Sequence, residues 1–157
     1  MAPLAPSFES ILCPIDFSDC SRRALSAAAW LASACDKPLY LLHAVHLDMP
    51  HYLSEDTKSK VLEHWKNVRG DVSTHLREWC AQACDLPKDV HFEVSDAPPV
   101  EAIIAAAHRH GSMIVMGTHG RTGWRRVWMG SVTSRTIEQA RVPVMVIPPA
   151  EGHESYA

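Results

Sequence analysis

The sequence predicts a doubly wound α/β domain, with helices covering both faces of an open parallel sheet. Short apolar runs of strand length alternate with longer stretches of helical periodicity along the whole chain. Strands joined through helices need crossover connections, and wholly apolar strands need cover on both faces. Such crossovers are nearly always right-handed, which leaves few topologies to consider.

Each element has its own signal. Ile11-Leu12-Cys13-Pro14-Ile15 reads as a buried strand ending at Asp16, and Ser18 is placed to cap a following helix. In that helix Leu25, Ala28, Ala29 and Ala32 form one apolar stripe. Pro38 restarts the chain before a second strand, Leu39 to Val45, and a polar connection containing a proline runs from Asp48 to Ser54. The longest helix follows: Val61, Trp65, Val68, Val72, Leu76, Trp79 and Ala83 step by three or four and define one face. Gly70 interrupts it at a cost of about 1 kcal/mol, which so long a stripe tolerates. Pro87 ends it, and Val90 to Val94 alternates as a half-buried strand. Pro98 and Pro99 open the next helix, with Val100, Ile103, Ile104 and Ala107 as its inner face and Gly111 as its stop. Met113 to Met116 is a wholly apolar strand, a helix spans about Ser131 to Arg141, and Val144 to Ile147 is the last strand.

Composition narrows the function. A chain of 157 residues, 46% hydrophobic, is enough for one domain with a core and not for two. With 21% charged residues and a net charge of -3, it has no basic surplus to mark a nucleic-acid partner. Met1 to Ser10 lacks the pattern of a secretion signal, and no run of about 18 apolar residues reads as a membrane span, so a cytoplasmic protein is expected. Five cysteines, an odd number at irregular spacing, suit a reducing compartment better than a disulfide framework. Cys80 and Cys84 would share a helix face, where buried thiols acting as small hydrophobes outweigh a metal or redox role. The ten histidines show no zinc-finger spacing.

Chemistry concentrates between Gly117 and Ser131, which holds four of the seven glycines. Gly117 follows a buried strand, and Gly130-Ser131 precedes a helix, which is the arrangement that binds anions. Glycine permits close backbone approach, inward amides donate hydrogen bonds to phosphate oxygens, and a helix N-terminus adds free N–H groups and its dipole. Ser131 and Thr133 add hydroxyls, while Arg121, Arg125 and Arg126 either counter phosphate charge or form a solvated basic edge. The bland alternative is a surface loop whose glycines only make turns, although a loop of this length inside a domain is more often functional. Gly-Lys-Ser/Thr is absent, so this is not a Walker P-loop. It also follows the fourth strand, not the first as in a Rossmann fingerprint.

The spacing Gly117-x2-Gly120-x9-Gly130-Ser131 resembles the ATP-binding signature of the universal stress protein family. Ile11 to Ser18, Leu41 to Val45, Ile114 to Arg121 and Pro143 to Ile147 look like other segments of that family, and the likeness covers about residues 8 to 149. The resemblance implies one domain over residues 1–157 with short tails, and a five-stranded sheet in the order 3-2-1-4-5. It places Asp16 and Gly117 at the ends of adjacent strands, at the switch point where open α/β sheets bind ligands. It implies that Pro14, Ile15 and Asp16 line the adenine and ribose end, and that Met116 and Gly117 approach the ribose. Gly120, Arg121, Gly130, Ser131, Val132 and Thr133 would surround the phosphates. Ala44 stands where the family often has valine, which loosens the adenine pocket while keeping the backbone contact.

The ligand implied is ATP, or AMP or ADP, with room for Mg2+ between phosphates but no carboxylate cage for it. A homodimer through Val144 to Ile147 is implied, because an apolar edge strand is a template for pairing. Two functions remain in play: a nucleotide-responsive module in the stress response, or a slow ATPase or nucleotide-transferring enzyme using the same loop. The first is favoured, since phosphoryl transfer needs a positioned metal and a water-orienting group, and neither is evident. Asp16 reads as a turn or cap residue or as a ligand contact, and His119 as a general base or a loop-shaping residue. Trp124 and Trp128 either close over the nucleotide or meet another subunit.

Overall fold

The computed structural model describes residues 7–46, 54–118 and 129–150 of the chain. Along it run β1 (Ser10–Pro14), α1 (Asp19–Cys35), β2 (Leu39–Ala44), α2 (Glu55–Ala83), β3 (Val90–Ser95), α3 (Pro99–His110), β4 (Ser112–Gly117), α4 (Ser131–Gln139) and β5 (Val144–Ile147). The strands form one parallel sheet in the order β3-β2-β1-β4-β5. The element order and the sheet order are those expected from the sequence.

Strand alternation divides the core in two. Ile11 and Cys13 of β1 join Leu25, Ala28 and Ala32 of α1 and Leu76 and Cys80 of α2 on one face. Leu12 turns the other way, to Ile114 and Met116 of β4 and Ala102, Ile103, Ala106 and Ala107 of α3. Ile11, Leu12, Leu25, Leu39, Leu41, Leu76, Ile114 and Val115 are fully buried. Each such side chain contributes about 1.5–3 kcal/mol by leaving water. The alanines matter differently, because their small size lets α1 and α3 lie close on the sheet.

The helix ends are chemically defined. The Ser18 hydroxyl accepts the Ser21 N–H at 3.1 Å and caps α1. At the other end Asp36, with φ 52°, supplies the left-handed residue that lets the helix stop. Gly111, with φ 58°, does the same for α3. His108, Arg109 and His110 sit in the last turn of α3, where positive charge complements the helix dipole.

Three expectations are corrected. The long stripe on α2 is helical throughout, but only Leu76 and Cys80 are buried, while Val61, Trp65 and Val68 join neither core cluster. A helix of 29 residues spans about 44 Å, roughly twice the length of the six-residue β3 beside it, so its first half has little sheet to cover. On α3 the buried residues are Ala102, Ile103, Ala106 and Ala107, with Val100 and Ile104 only partly covered. The three alanines and Ile103 face the sheet, and Val100 and Ile104 flank them. Last, α4 ends at Gln139, two residues before the expected Arg141.

Candidate functional site at the switch point

β1 and β4 lie side by side, yet the chain leaves them toward opposite faces of the sheet: α1 follows β1 onto one, and α4 packs against α3 on the other. A crevice therefore opens beyond their C-terminal ends. It contains a cavity of about 230 Å3. Of the residues expected there, Pro14, Ile15, Asp16, Ala44, Met116, Gly117, Gly130, Ser131, Val132 and Thr133 line this cavity. Gly120 and Arg121 lie outside the described residues, as do His119, Trp124, Arg125, Arg126, Trp128 and most of the Asp48 to Ser54 connection.

Sequence reading missed Ser21, Leu42, His43, Pro99 and Ile103, which also line the cavity. Ser21 is one turn beyond Ser18, and Leu42 and His43 adjoin Ala44 on β2, so the spacing held a signal for these. Pro99 and Ile103 come from the first turns of α3, a helix whose approach to the cavity only the fold discloses.

Glycine at 117 has a packing reason. A Cβ there would lie 2.9 Å from Cys20 Cβ and 3.1 Å from the Cys20 carbonyl carbon and oxygen. Its bare Cα is what allows the first turn of α1 to approach β4. Thr133 locks the other side, its hydroxyl donating to the Gly117 carbonyl at 2.9 Å. That hydroxyl, expected to face phosphate, is instead buried and engaged in holding α4 to β4. The Gly130 N–H donates to the Thr118 carbonyl at 2.7 Å, and the Thr118 N–H to the Ile147 carbonyl at 3.1 Å. Both ends of the glycine-rich segment are thereby pinned.

Asp16 serves the turn while lining the cavity. Its Oδ1 accepts the Ser18 N–H at 3.0 Å and the Ser18 hydroxyl at 2.5 Å, the pattern of an Asx turn. α4 begins differently from α1: its cap, Gly130, has no side chain to accept a hydrogen bond from the first turn. Gly130, Ser131, Val132 and Thr133 line the cavity, which brings the free N–H groups and the positive end of the helix dipole to its wall.

The thiols near β1 are held protonated. Burial first, then the neighbouring Cys80, Cys84 and Asp16, pushes the Cys13 thiol well up. Burial and Cys84 push Cys80 up to about 12. Neither supplies a thiolate at neutral pH. Among the described residues no three His, Cys, Asp or Glu side chains come together as a metal site. A second, larger hollow of about 680 Å3 flanks the edge strand β3. There Arg69 donates to the Val94 carbonyl at 2.6 Å, and Arg109 pairs with Glu93 at 3.0 Å, so its cations are already engaged.

Fold and cleft together define a doubly wound α/β protein with a ligand-sized cavity at its switch point. The model of the universal stress protein family matches residues 7–148, and the chain belongs to that family. It is 30% identical over 146 residues to universal stress protein MJ0531 of Methanocaldococcus jannaschii, spanning 89% of this chain and 82% of that one. Universal stress protein UspA from Lactobacillus plantarum superposes with a TM-score of 0.70 at 26% identity, covering 90% of this chain and 99% of that one. The universal stress protein from Archaeoglobus fulgidus in complex with dAMP has the same fold, with a TM-score of 0.55 at 22% identity over 89% of this chain and 98% of that one.

Proposed function

We propose that this protein binds an adenine nucleotide, ATP or AMP or ADP, in the switch-point cavity, and acts as a nucleotide-responsive module of the stress response. The observation that carries the reading is the start of α4, a helix N-terminus without a side-chain cap, on a cavity whose other walls are mostly apolar. Such an end attracts phosphate through its N–H groups and dipole. Leu42, Ala44, Pro99, Ile103 and Met116 offer the apolar walls that a base prefers. A cavity of about 230 Å3 is small beside the roughly 300–1,000 Å3 of most ligand pockets, so it encloses the nucleoside while phosphates extend along α4. The dAMP bound by the Archaeoglobus relative supports an adenine nucleotide as the ligand class.

Binding, not turnover, is the activity assigned. Asp16 is the one carboxylate among the described residues lining the cavity, and its Oδ1 is engaged by Ser18. Mg2+ would be held by phosphate oxygens and water, since the described residues assemble no cage of their own. The protein acts in the cytoplasm as a homodimer, paired through the edge strand β5. Among the described residues no helix is long and apolar enough to cross a membrane.

Titration calorimetry with ATP, AMP and adenosine tests the reading, using Gly130→Val. Gly130 has φ −66° and ψ 155°, a backbone any residue adopts, so valine adds methyl groups at the start of α4 without backbone strain. ATP affinity should fall about tenfold or more, about 1.4 kcal/mol, with little change for adenosine. Equal ATP affinity in the folded variant would remove the phosphate assignment.

A further inference from the structure

Phe17 has φ 64°, in the left-handed region. The other non-glycine with positive φ among the described residues is Asp36, a helix cap of short polar side chain. For a bulky side chain this backbone costs roughly tenfold in the folding equilibrium, and glycine would avoid the cost. A strain of this kind persists only where its surroundings over-determine it.

The surroundings are a ring cluster that joins the turn to β2 and α2. Phe17 lies 4.5 Å from the ring of His43 on β2, 4.8 Å from His75 and 5.6 Å, edge-on, from Trp79 on α2. The Arg22 guanidinium of α1 covers Trp79 at 4.9 Å. His43 also grips the turn directly, its Nδ1 standing 2.6 Å from the Ile15 carbonyl oxygen. A carbonyl only accepts, so this Nδ1 carries the proton and the tautomer is set. Ile15 and Phe17, on either side of Asp16, are thus both held through His43. Ile15, Asp16 and His43 are themselves lining residues of the cavity.

We propose that Phe17 is a positioning residue for the nucleoside end of the site. Its ring, wedged among His43, His75 and Trp79, drives the turn between β1 and α1 into a left-handed bend. That bend sets Ile15 and Asp16 as the cavity wall and ties the wall to α2. The inference rests on the adenine nucleotide reading above and adds a residue that does not itself line the cavity.

Phe17→Gly, Phe17→Ala and Phe17→Tyr separate the contributions, read by calorimetry with adenosine and with ATP alongside thermal melting. Phe17→Gly removes the ring and the strain together, so the protein should stay folded while the Kd values for adenosine and ATP rise by the same factor, about tenfold. Phe17→Tyr keeps the ring and should restore both values. Phe17→Ala keeps the strain without the ring and should melt below Phe17→Gly. A merely structural role would lower melting temperature and leave the Kd of folded protein alone. If Phe17→Gly fails to fold, His75→Ala trims the cluster from α2, outside the cavity, and should still raise the adenosine Kd several-fold. Wild-type Kd values in folded Phe17→Gly, or in His75→Ala, overturn the inference, as does a loss confined to ATP. If the wild type binds neither adenosine nor ATP in the same titrations, the functional reading falls first and this inference with it.

Discussion

Replacing Gly117 with alanine decides whether α1 truly sits against β4. Gly117 does not occupy the left-handed region, so alanine is permitted by the backbone. Were the site open, Gly117→Ala would stabilise by about 0.4–1 kcal/mol, because the unfolded chain loses freedom. The structure gives the opposite sign. The new Cβ meets Cys20 Cβ at 2.9 Å and the Cys20 carbonyl group at 3.1 Å, and backbone in the first turn of a helix cannot swing aside. Overpacking of this kind costs about 1–3 kcal/mol. Set against the entropic gain, the net loss is about 1–2 kcal/mol, a fall in melting temperature of roughly 3–6 °C for a chain of this size. Urea denaturation followed by circular dichroism should show the midpoint dropping by about 0.5–1 M with unchanged slope. Adding Cys20→Gly removes the nearest atom and leaves the carbonyl, so the double mutant should recover about 0.5–1 kcal/mol beyond additivity. A Gly117→Ala protein at least as stable as the wild type would refute the close approach, and with it the account of why glycine ends β4.

Two further outcomes follow from the same structure. The Cys80 thiol is pushed up to about 12 from a reference of 9.0, so the unfolded chain releases its proton first. The stability this thiol contributes is complete below pH 9 and lost as pH rises toward 12, and urea midpoints from pH 8 to 11 should fall less steeply in Cys80→Ala; parallel slopes would contradict this. β5 is an edge strand with Met145 36% exposed, and Ile137 of α4 is 42% exposed, so size-exclusion with light scattering should give twice the chain mass at micromolar concentration, and Met145→Lys should lower it.

The sheet was legible in the sequence because its signals were local. Ile11 to Ile15 and Met113 to Met116 are short apolar runs of strand length, and Ser18, Pro99 and Gly111 each mark a helix boundary by chemistry that operates within a turn. The α2 stripe misled because periodicity reports a helix, not whether anything lies opposite it. The same limit applies to the cleft. Residues on the β1 and β4 ends could be named from the chain, since each follows an apolar run. Ile103 could not, because its approach to the cavity depends on how α3 crosses the sheet. Nor could the engagement of the Thr133 hydroxyl be read in advance, because its partner is a carbonyl sixteen residues away that only the folded β4 presents. Phe17 gave no signal at all, for nothing in a Phe-Ser pair announces a left-handed backbone.

Three helices begin beside the cleft, and the chemistry of their first turns orients a ligand within it. α1 is closed by the Ser18 hydroxyl, which takes up the Ser21 N–H. α3 starts with Pro98 and Pro99, neither of which has an N–H to offer, and it presents ring carbons and Ile103 instead. α4 also starts without a side-chain cap, at Gly130, but no proline interrupts its first turn, so its N–H groups remain. An amphipathic ligand entering this cavity therefore meets donors on one side and carbon on the other. On the proposed reading the base lies toward β2 and α3, and the phosphates toward α4. Exchanging the polarity of either wall, not merely narrowing the cavity, is what should reverse the preference for a nucleotide.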